Sequence, residues 1–172
     1  YLGVMRFNHL YPPFNDVRVR RAVLMAVNQD DYMRAVTGND TTAYKECKAL
    51  FPCGTPFGTQ IGAPGMKGDI VAAKRMLKES GYSGQKVVII NPTDFPSIHP
   101  LGLVTADTLK KIGMNVDLQE TDWGTVVQRR ASREPLEKGG WSIFHTYGSS
   151  AAYATPVTSP IVRGQGTDGW FG

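Results

Sequence analysis

The spacing of apolar residues changes repeatedly along this chain, and the changes divide it into elements. Tyr1 to Leu10 reads as a strand. From Asp16 to Asn28, Val19, Ala22, Val23, Ala26 and Val27 recur at i, i+3, i+4, i+7 and i+8, the stripe of a helix with one covered face. Asp16 is placed to cap it, because a carboxylate there accepts from the first free backbone N–H groups. Asn28-Gln29-Asp30-Asp31 reads as a second cap, followed by a shorter helix through Tyr32, Met33 and Val36. Gly38 ends that helix, since glycine takes a left-handed conformation cheaply. Residues 39–68 are rich in Gly, Pro and Thr and have no period. So long an irregular segment is either a functional loop, a cover packed over another part of the protein, or plain surface.

Beyond it the rhythm becomes regular. Asp69 caps a helix through Ile70, Ala73 and Leu77, closed by Gly81. Lys86 to Asn91 is nearly all apolar, as a strand buried on both faces requires. A helix from about Ile98 to Ile112 turns Leu101, Val104, Leu109 and Ile112 inward and stops at Gly113. Met114 to Glu120 alternates, which predicts a strand with one covered face. Thr121 or Asp122 caps a helix bearing Trp123, Val126, Val127 and Ala131; a charged loop over 132–140 leads to a strand from Trp141 to Tyr147. Little regular structure is expected from Gly148 onward. Strands alternating with helices predict an α/β fold with a mostly parallel sheet and right-handed crossovers.

Composition narrows the classes. The chain has 172 residues, enough for one domain that buries its own core. No stretch approaches the roughly 20 apolar residues that cross a bilayer. The formal net charge is +4, and the positive residues are scattered rather than striped, so no nucleic-acid partner is expected. The chain opens at Tyr1, with no initiator Met or signal peptide, and stops at Trp170-Phe171-Gly172. We expect it to be a piece cut from a longer protein.

Reactive constellations are scarce. Cys47 and Cys53 match neither a redox pair nor a zinc site, and no His lies near them. They are either a local disulfide, if the loop brings the Cα atoms within about 7 Å, or two free thiols; the disulfide is the preferred reading. No metal or cofactor motif is present: His9, His99 and His145 lack ligand spacing, and Gly164 to Gly169 neither follows a strand nor opens a helix, as a phosphate loop must. A geometric rule remains. Ligands of open parallel sheets bind at the carboxyl ends of the strands. Those ends offer Asn91, Asp94 and Phe95, then Asp122 and Trp123, then His145, Tyr147 and Ser149. This mixture of aromatic surface and hydrogen-bonding groups suits a small organic or peptide ligand. Asp122 serves equally well as a helix cap and Trp123 as core filling.

One stretch is more specific. Phe7-Asn8, then Pro12-Pro13-Phe14-Asn15-Asp16-Val17-Arg18-Val19-Arg20-Arg21-Ala22, then Ala26-Val27-Asn28-Gln29, resembles the family 5 solute-binding proteins of ABC importers, the dipeptide- and oligopeptide-binding class. Asp69 to Leu77 with Gly81-Tyr82, the Leu109 to Gly113 helix end and Gly140 to Phe144 fit the same family. The resemblance implies a periplasmic-binding-protein type II lobe, residues 1–172 forming most of the C-terminal lobe of a larger two-lobed protein. It implies a peptide or other small solute, a membrane permease and the missing N-terminal lobe as partners, and a periplasmic or lipid-anchored location. A disulfide would agree with that location.

The resemblance also exposes a departure. Peptide-binding members carry an aromatic and then an aspartate that pairs with the ligand's free amino group. Tyr147 matches the aromatic, but Gly148-Ser-Ser-Ala-Ala152 supplies no carboxylate. A rival reading is a small α/β enzyme using Asp94, Asp122 and His145, which requires those groups to face one pocket.

Overall fold

A computed structural model describes residues 1–61, 65–159 and 162. The Gly164 to Gly169 stretch and the aromatic end at Trp170-Phe171 lie outside the described residues. The elements run β1 (Leu2–Phe7), α1 (Val17–Ala26), α2 (Gln29–Thr37), α3 (Ile70–Glu79), β2 (Lys86–Pro92), α4 (His99–Ile112), β3 (Asn115–Thr121), α5 (Trp123–Arg129), a short 3-10 turn (Leu136–Lys138) and β4 (Ile143–Gly148).

The strands form one sheet in the order β1-β4-β2-β3. β2 is parallel to both β3 and β4, while β1 is antiparallel to β4. The mostly parallel sheet therefore carries one reversed edge strand. β2 is central, and its alternating residues feed two cores. Val87 and Ile89 pack with α1, α3 and α4 around Phe14, Val23, Leu77 and Leu109. Val88 and Ile90 pack on the other face with Val126, Trp141 and Phe144. All four of these β2 side chains are buried, and each contributes about 1.5–3 kcal/mol.

Local chemistry sets most boundaries. Asp16, Asn28, Asp69 and Asp122 each cap a helix by accepting a backbone N–H, and Gly113 closes α4 at φ 97°. Gly38 has positive φ (69°) but an extended ψ of −141°, so α2 ends without the expected left-handed turn. α1 stops at Ala26 because Val27 turns extended to let Asn28 start α2. β1 ends at Phe7; Asn8 then anchors the chain, donating from Nδ2 to the Trp141 carbonyl (3.0 Å) and accepting from Leu10 N–H (3.0 Å). β4 begins two residues later than the apolar run, because Ser142 is held to Val88 by its own N–H (2.9 Å) and by its hydroxyl, which accepts from Val88 N–H (3.1 Å). In α4 the inward face is Leu101, Thr105, Ala106, Leu109 and Ile112; Val104 is only half-buried. In α5 only Val126 is fully covered, and Ala131 is exposed.

The family-like segment after β1 is structural. Phe14 is fully buried against Phe7, ring centroids 4.6 Å apart, and the Phe14 carbonyl accepts from Arg20 (2.5 Å).

The described residues of 39–68 form no helix or strand. Cys47 and Cys53 are joined in a disulfide, their Cα atoms 5.8 Å apart. The Gln29 side-chain amide grips this loop in both directions, donating to the Cys47 carbonyl (2.7 Å) and accepting from the Cys47 N–H (2.8 Å).

Candidate ligand-binding cleft

Four aromatic side chains meet at the carboxyl ends of the parallel strands. Phe95 comes from the loop after β2, Trp123 opens α5 beyond β3, and Tyr147 ends β4. Tyr1 joins them because antiparallel pairing sets Leu2 opposite Gly148. Tyr1 meets Tyr147 edge-on at 5.5 Å, Tyr147 meets Phe95 at 5.9 Å, and Phe95 meets Trp123 at 5.4 Å. Phe95, Trp123 and Tyr147 are half-buried, so each leaves part of its ring exposed. The strip crosses the point where α4 leaves β2 over one face while α5 covers the other, the crevice position of open α/β sheets.

A cation stands beside the strip. The Arg130 guanidinium lies 5.6 Å from the Trp123 ring and 5.6 Å from the Phe144 ring. Burial lowers its pKa, yet a guanidinium stays charged at neutral pH. The strand-end rule missed Arg130. Its signal was its place seven residues after Trp123, two helical turns along, on the same face.

The two acids serve the scaffold. Asp94 Oδ1 accepts the backbone N–H of Trp123 at 2.8 Å, tying the β2–α4 loop to the start of α5. Asp122 caps α5, accepting from the Thr125 N–H (2.9 Å) and hydroxyl (2.5 Å). Those bonds hold its carboxyl below the usual range. Ser149 is exposed, and its hydroxyl accepts from Ala152 N–H (3.2 Å).

Two expected cleft residues are corrected. Asn91 is fully buried: Nδ2 donates to the His99 carbonyl (3.2 Å), and the side chain packs where Gly102 lacks a Cβ. His145 is 1% exposed and turns toward α4, where Nε2 pairs with Thr105 Oγ1 at 2.8 Å. Thr105 in turn meets Tyr32 Oη at 2.9 Å. Burial pushes the His145 pKa down to about 3, so the ring is neutral. His145 thus lies on the α4 face, whereas Asp122 caps α5 over the other; Asp94, Asp122 and His145 share no pocket. Among the described residues, no group of three His, Cys, Asp or Glu side chains is placed to hold a metal.

A second concavity of about 350 Å³ lies between β1, α1, α2 and the disulfide loop. Val4, Val27, Met33, Leu50, Leu101 and His145 are among its walls.

The α/β sheet with its flanking helices has the periplasmic-binding-protein type II fold. The chain belongs to the bacterial extracellular solute-binding proteins, family 5, whose middle-region model matches residues 1–168. It is 36% identical over 170 residues to a probable peptide ABC transporter periplasmic-binding protein of Sinorhizobium fredii, covering 98% of this chain and 32% of that protein. It is 29% identical over 162 residues to a probable deoxycholate-binding periplasmic protein of Escherichia coli, covering 89% of this chain and 29% of the relative. Among solved structures, the ABC transporter substrate-binding protein CtaP of Listeria monocytogenes superposes with a TM-score of 0.71 at 24% identity, over 84% of this chain and 29% of that one. The chain thus spans about a third of the length of the curated relatives it matches.

Proposed function

We propose that this chain is most of the C-terminal lobe of the solute-binding component of an ABC importer. The whole protein captures a peptide or similar small solute between two lobes and hands it to a membrane permease. The N-terminal lobe of the same polypeptide supplies the opposite wall, and closure is driven by the better contacts of the solute in the closed state. The observation that carries this reading is the run Tyr1–Tyr147–Phe95–Trp123 across the strand ends. Half-open ring faces bind extended or apolar solutes without dictating their sequence, and trapped water fills what remains. No catalytic step or cofactor is invoked. Capture takes place in the periplasm, or outside the cell on a lipid anchor, where the Cys47–Cys53 disulfide persists.

The charges around the strip narrow the solute. Gly148 to Ala152 offer no carboxylate after Tyr147. Asp94 and Asp122 already accept backbone N–H groups. Arg130 adds a cation beside Trp123. A solute with a blocked amine and an acidic or planar group fits this lining better than a free N-terminus does. The relatives' names, one a peptide transporter component and one a deoxycholate binder, support a family whose solutes extend beyond peptides.

Calorimetry on the full-length protein with a dipeptide and its N-acetylated form tests the reading. Affinities within about threefold of each other are expected. More than a tenfold preference for the free amine, about 1.4 kcal/mol, overturns the blocked-amine assignment. Micromolar binding by residues 1–172 alone overturns the two-walled trap.

A further inference from the structure

Arg130, Gly148 and Tyr153 meet on one side of the aromatic strip. Phe144 and Gly148 stand four residues apart in β4, so both present the sheet face that α5 covers. The Arg130 guanidinium lies over the Phe144 ring and over the Trp123 ring, 5.6 Å from each. Tyr153 lies over Gly148: a Cβ there would stand 2.3 Å from its ring and 2.8 Å from its hydroxyl oxygen. Tyr153 is therefore seated in the space that any other residue at 148 would fill, and it is buried. Its hydroxyl is thereby set at the carboxyl end of β4, one residue beyond Tyr147.

The two polar groups act on each other. Burial raises the Tyr153 pKa and the Arg130 charge opposes the rise; burial lowers the Arg130 pKa and Tyr153 opposes the fall. At neutral pH the pair is one cation and one neutral O–H, and both donate. The acids of the strip lie at the other end of α5. Asp122 caps that end and Asp94 accepts the Trp123 N–H, seven residues and about 10 Å of helix rise before Arg130. Charge is thus sorted along α5, negative at its start and positive at its finish. The N–H donors of a guanidinium form a planar fork that matches the two oxygens of a carboxylate. Half-buried, Arg130 has shed part of its water, so an anion at its edge is held more strongly than in bulk solvent.

We infer that Arg130 and Tyr153 form a subsite for a carboxylate of the solute, beside the Trp123 ring, and that residue 148 is glycine so that Tyr153 can take its seat. The assignment rests on the strip being a solute cleft, and it adds the chemical class of one solute group. Arg130 donates from its fork and Tyr153 from the strand end, while Trp123 covers the apolar part next to the carboxylate.

The full-length protein, carrying isotope-labelled arginine, tests this by titration with benzoate and with benzamide. The Arg130 Nε–H resonance, assigned by its absence from Arg130→Lys, should move with benzoate and hold still with benzamide. A resonance that ignores benzoate, or answers both probes alike, overturns the subsite. Calorimetry with an N-acetylated dipeptide and its C-terminal amide gives the second readout. The free carboxylate should be preferred at least about tenfold, as a charge-assisted bond implies. Arg130→Lys and Tyr153→Phe should each cut that preference about threefold or more and leave affinity for the amide within about twofold. A preference that survives either substitution overturns the pairing. The two readings fail separately. Equal affinity for the acid and the amide refutes the subsite and leaves solute capture standing. An Arg130 response to benzoate without binding of either dipeptide form refutes peptide capture and leaves the subsite.

Discussion

The Asp94 carboxylate holds the backbone N–H of Trp123 at 2.8 Å, across 29 residues of sequence. This one bond joins the loop after β2 to the helix after β3, and it sets Trp123 against Phe95. In the full-length protein, Asp94→Ala should weaken solute binding about threefold to tenfold by calorimetry, because a charge-assisted bond is lost. Thermal stability should change little, since Asp94 is exposed. A variant with unaltered affinity would remove Trp123 positioning from the account.

Histidine burial predicts an acid-sensitive fold. The His145 pKa is pushed down to about 3 by burial, and that of His9 to about 4 by burial and then by Arg20 and Arg6. In the folded state both rings stay neutral as the pH falls below about 6.5, where histidines of an unfolded chain take up protons. The unfolded state then binds more protons, so stability drops with falling pH. The urea midpoint should decline from pH 7 to 5, and His145→Gln should make that decline shallower while His9 retains its share. An identical slope in the variant would show that His145 is not held neutral.

Gly102 gives a packing prediction. A Cβ there would sit 2.2 Å from Asn91 Oδ1 inside a filled interior. Gly102→Ala should cost about 1–3 kcal/mol in denaturant unfolding. Adding Asn91→Ala should recover much of that cost, so the pair falls short of additivity. Strict additivity would mean that the two residues do not touch.

The disulfide closes a short loop, with a sequence separation of 6. For so small a ring the chain-entropy model gives a contribution of about 2 kcal/mol. Cys53→Ser should therefore lower the unfolding free energy by up to that amount and leave the far-ultraviolet circular dichroism unchanged. Loss of the folded state would give the loop a larger role than its closure entropy.

What could be read from the residues alone divides by range. The caps at Asp16, Asn28, Asp69 and Asp122 were legible because each depends on N–H groups two or three residues away. The doubly buried strand at Lys86 was legible because burial on both faces leaves an unbroken apolar run. That Phe95 and Trp123 stand beyond strand ends followed from strand order. Asn91 and His145 were misplaced because their surroundings are distant: Asn91 needs the missing Cβ of Gly102, and His145 needs Thr105 and Tyr32. Strand position showed where these side chains begin, but not which face had room for them. The edge-on meeting of Tyr1 and Tyr147 depends on antiparallel pairing across the whole chain, which no local pattern encodes.

The grip of Gln29 on Cys47 has a consequence for variation. One side-chain amide supplies both the donor and the acceptor that a neighbouring strand would supply, so Cys47 is held on α2, as is Tyr44, whose hydroxyl donates to Asp30. Beyond Cys53 the chain need only return to Met66, whose N–H meets the Leu24 carbonyl at 2.7 Å. Lengthening a surface loop is cheap where its backbone is not paired, since doubling a flexible loop costs only about 0.6 kcal/mol. A peptide tag inserted between Thr59 and Ile61, in an exposed stretch, should therefore leave the fold intact.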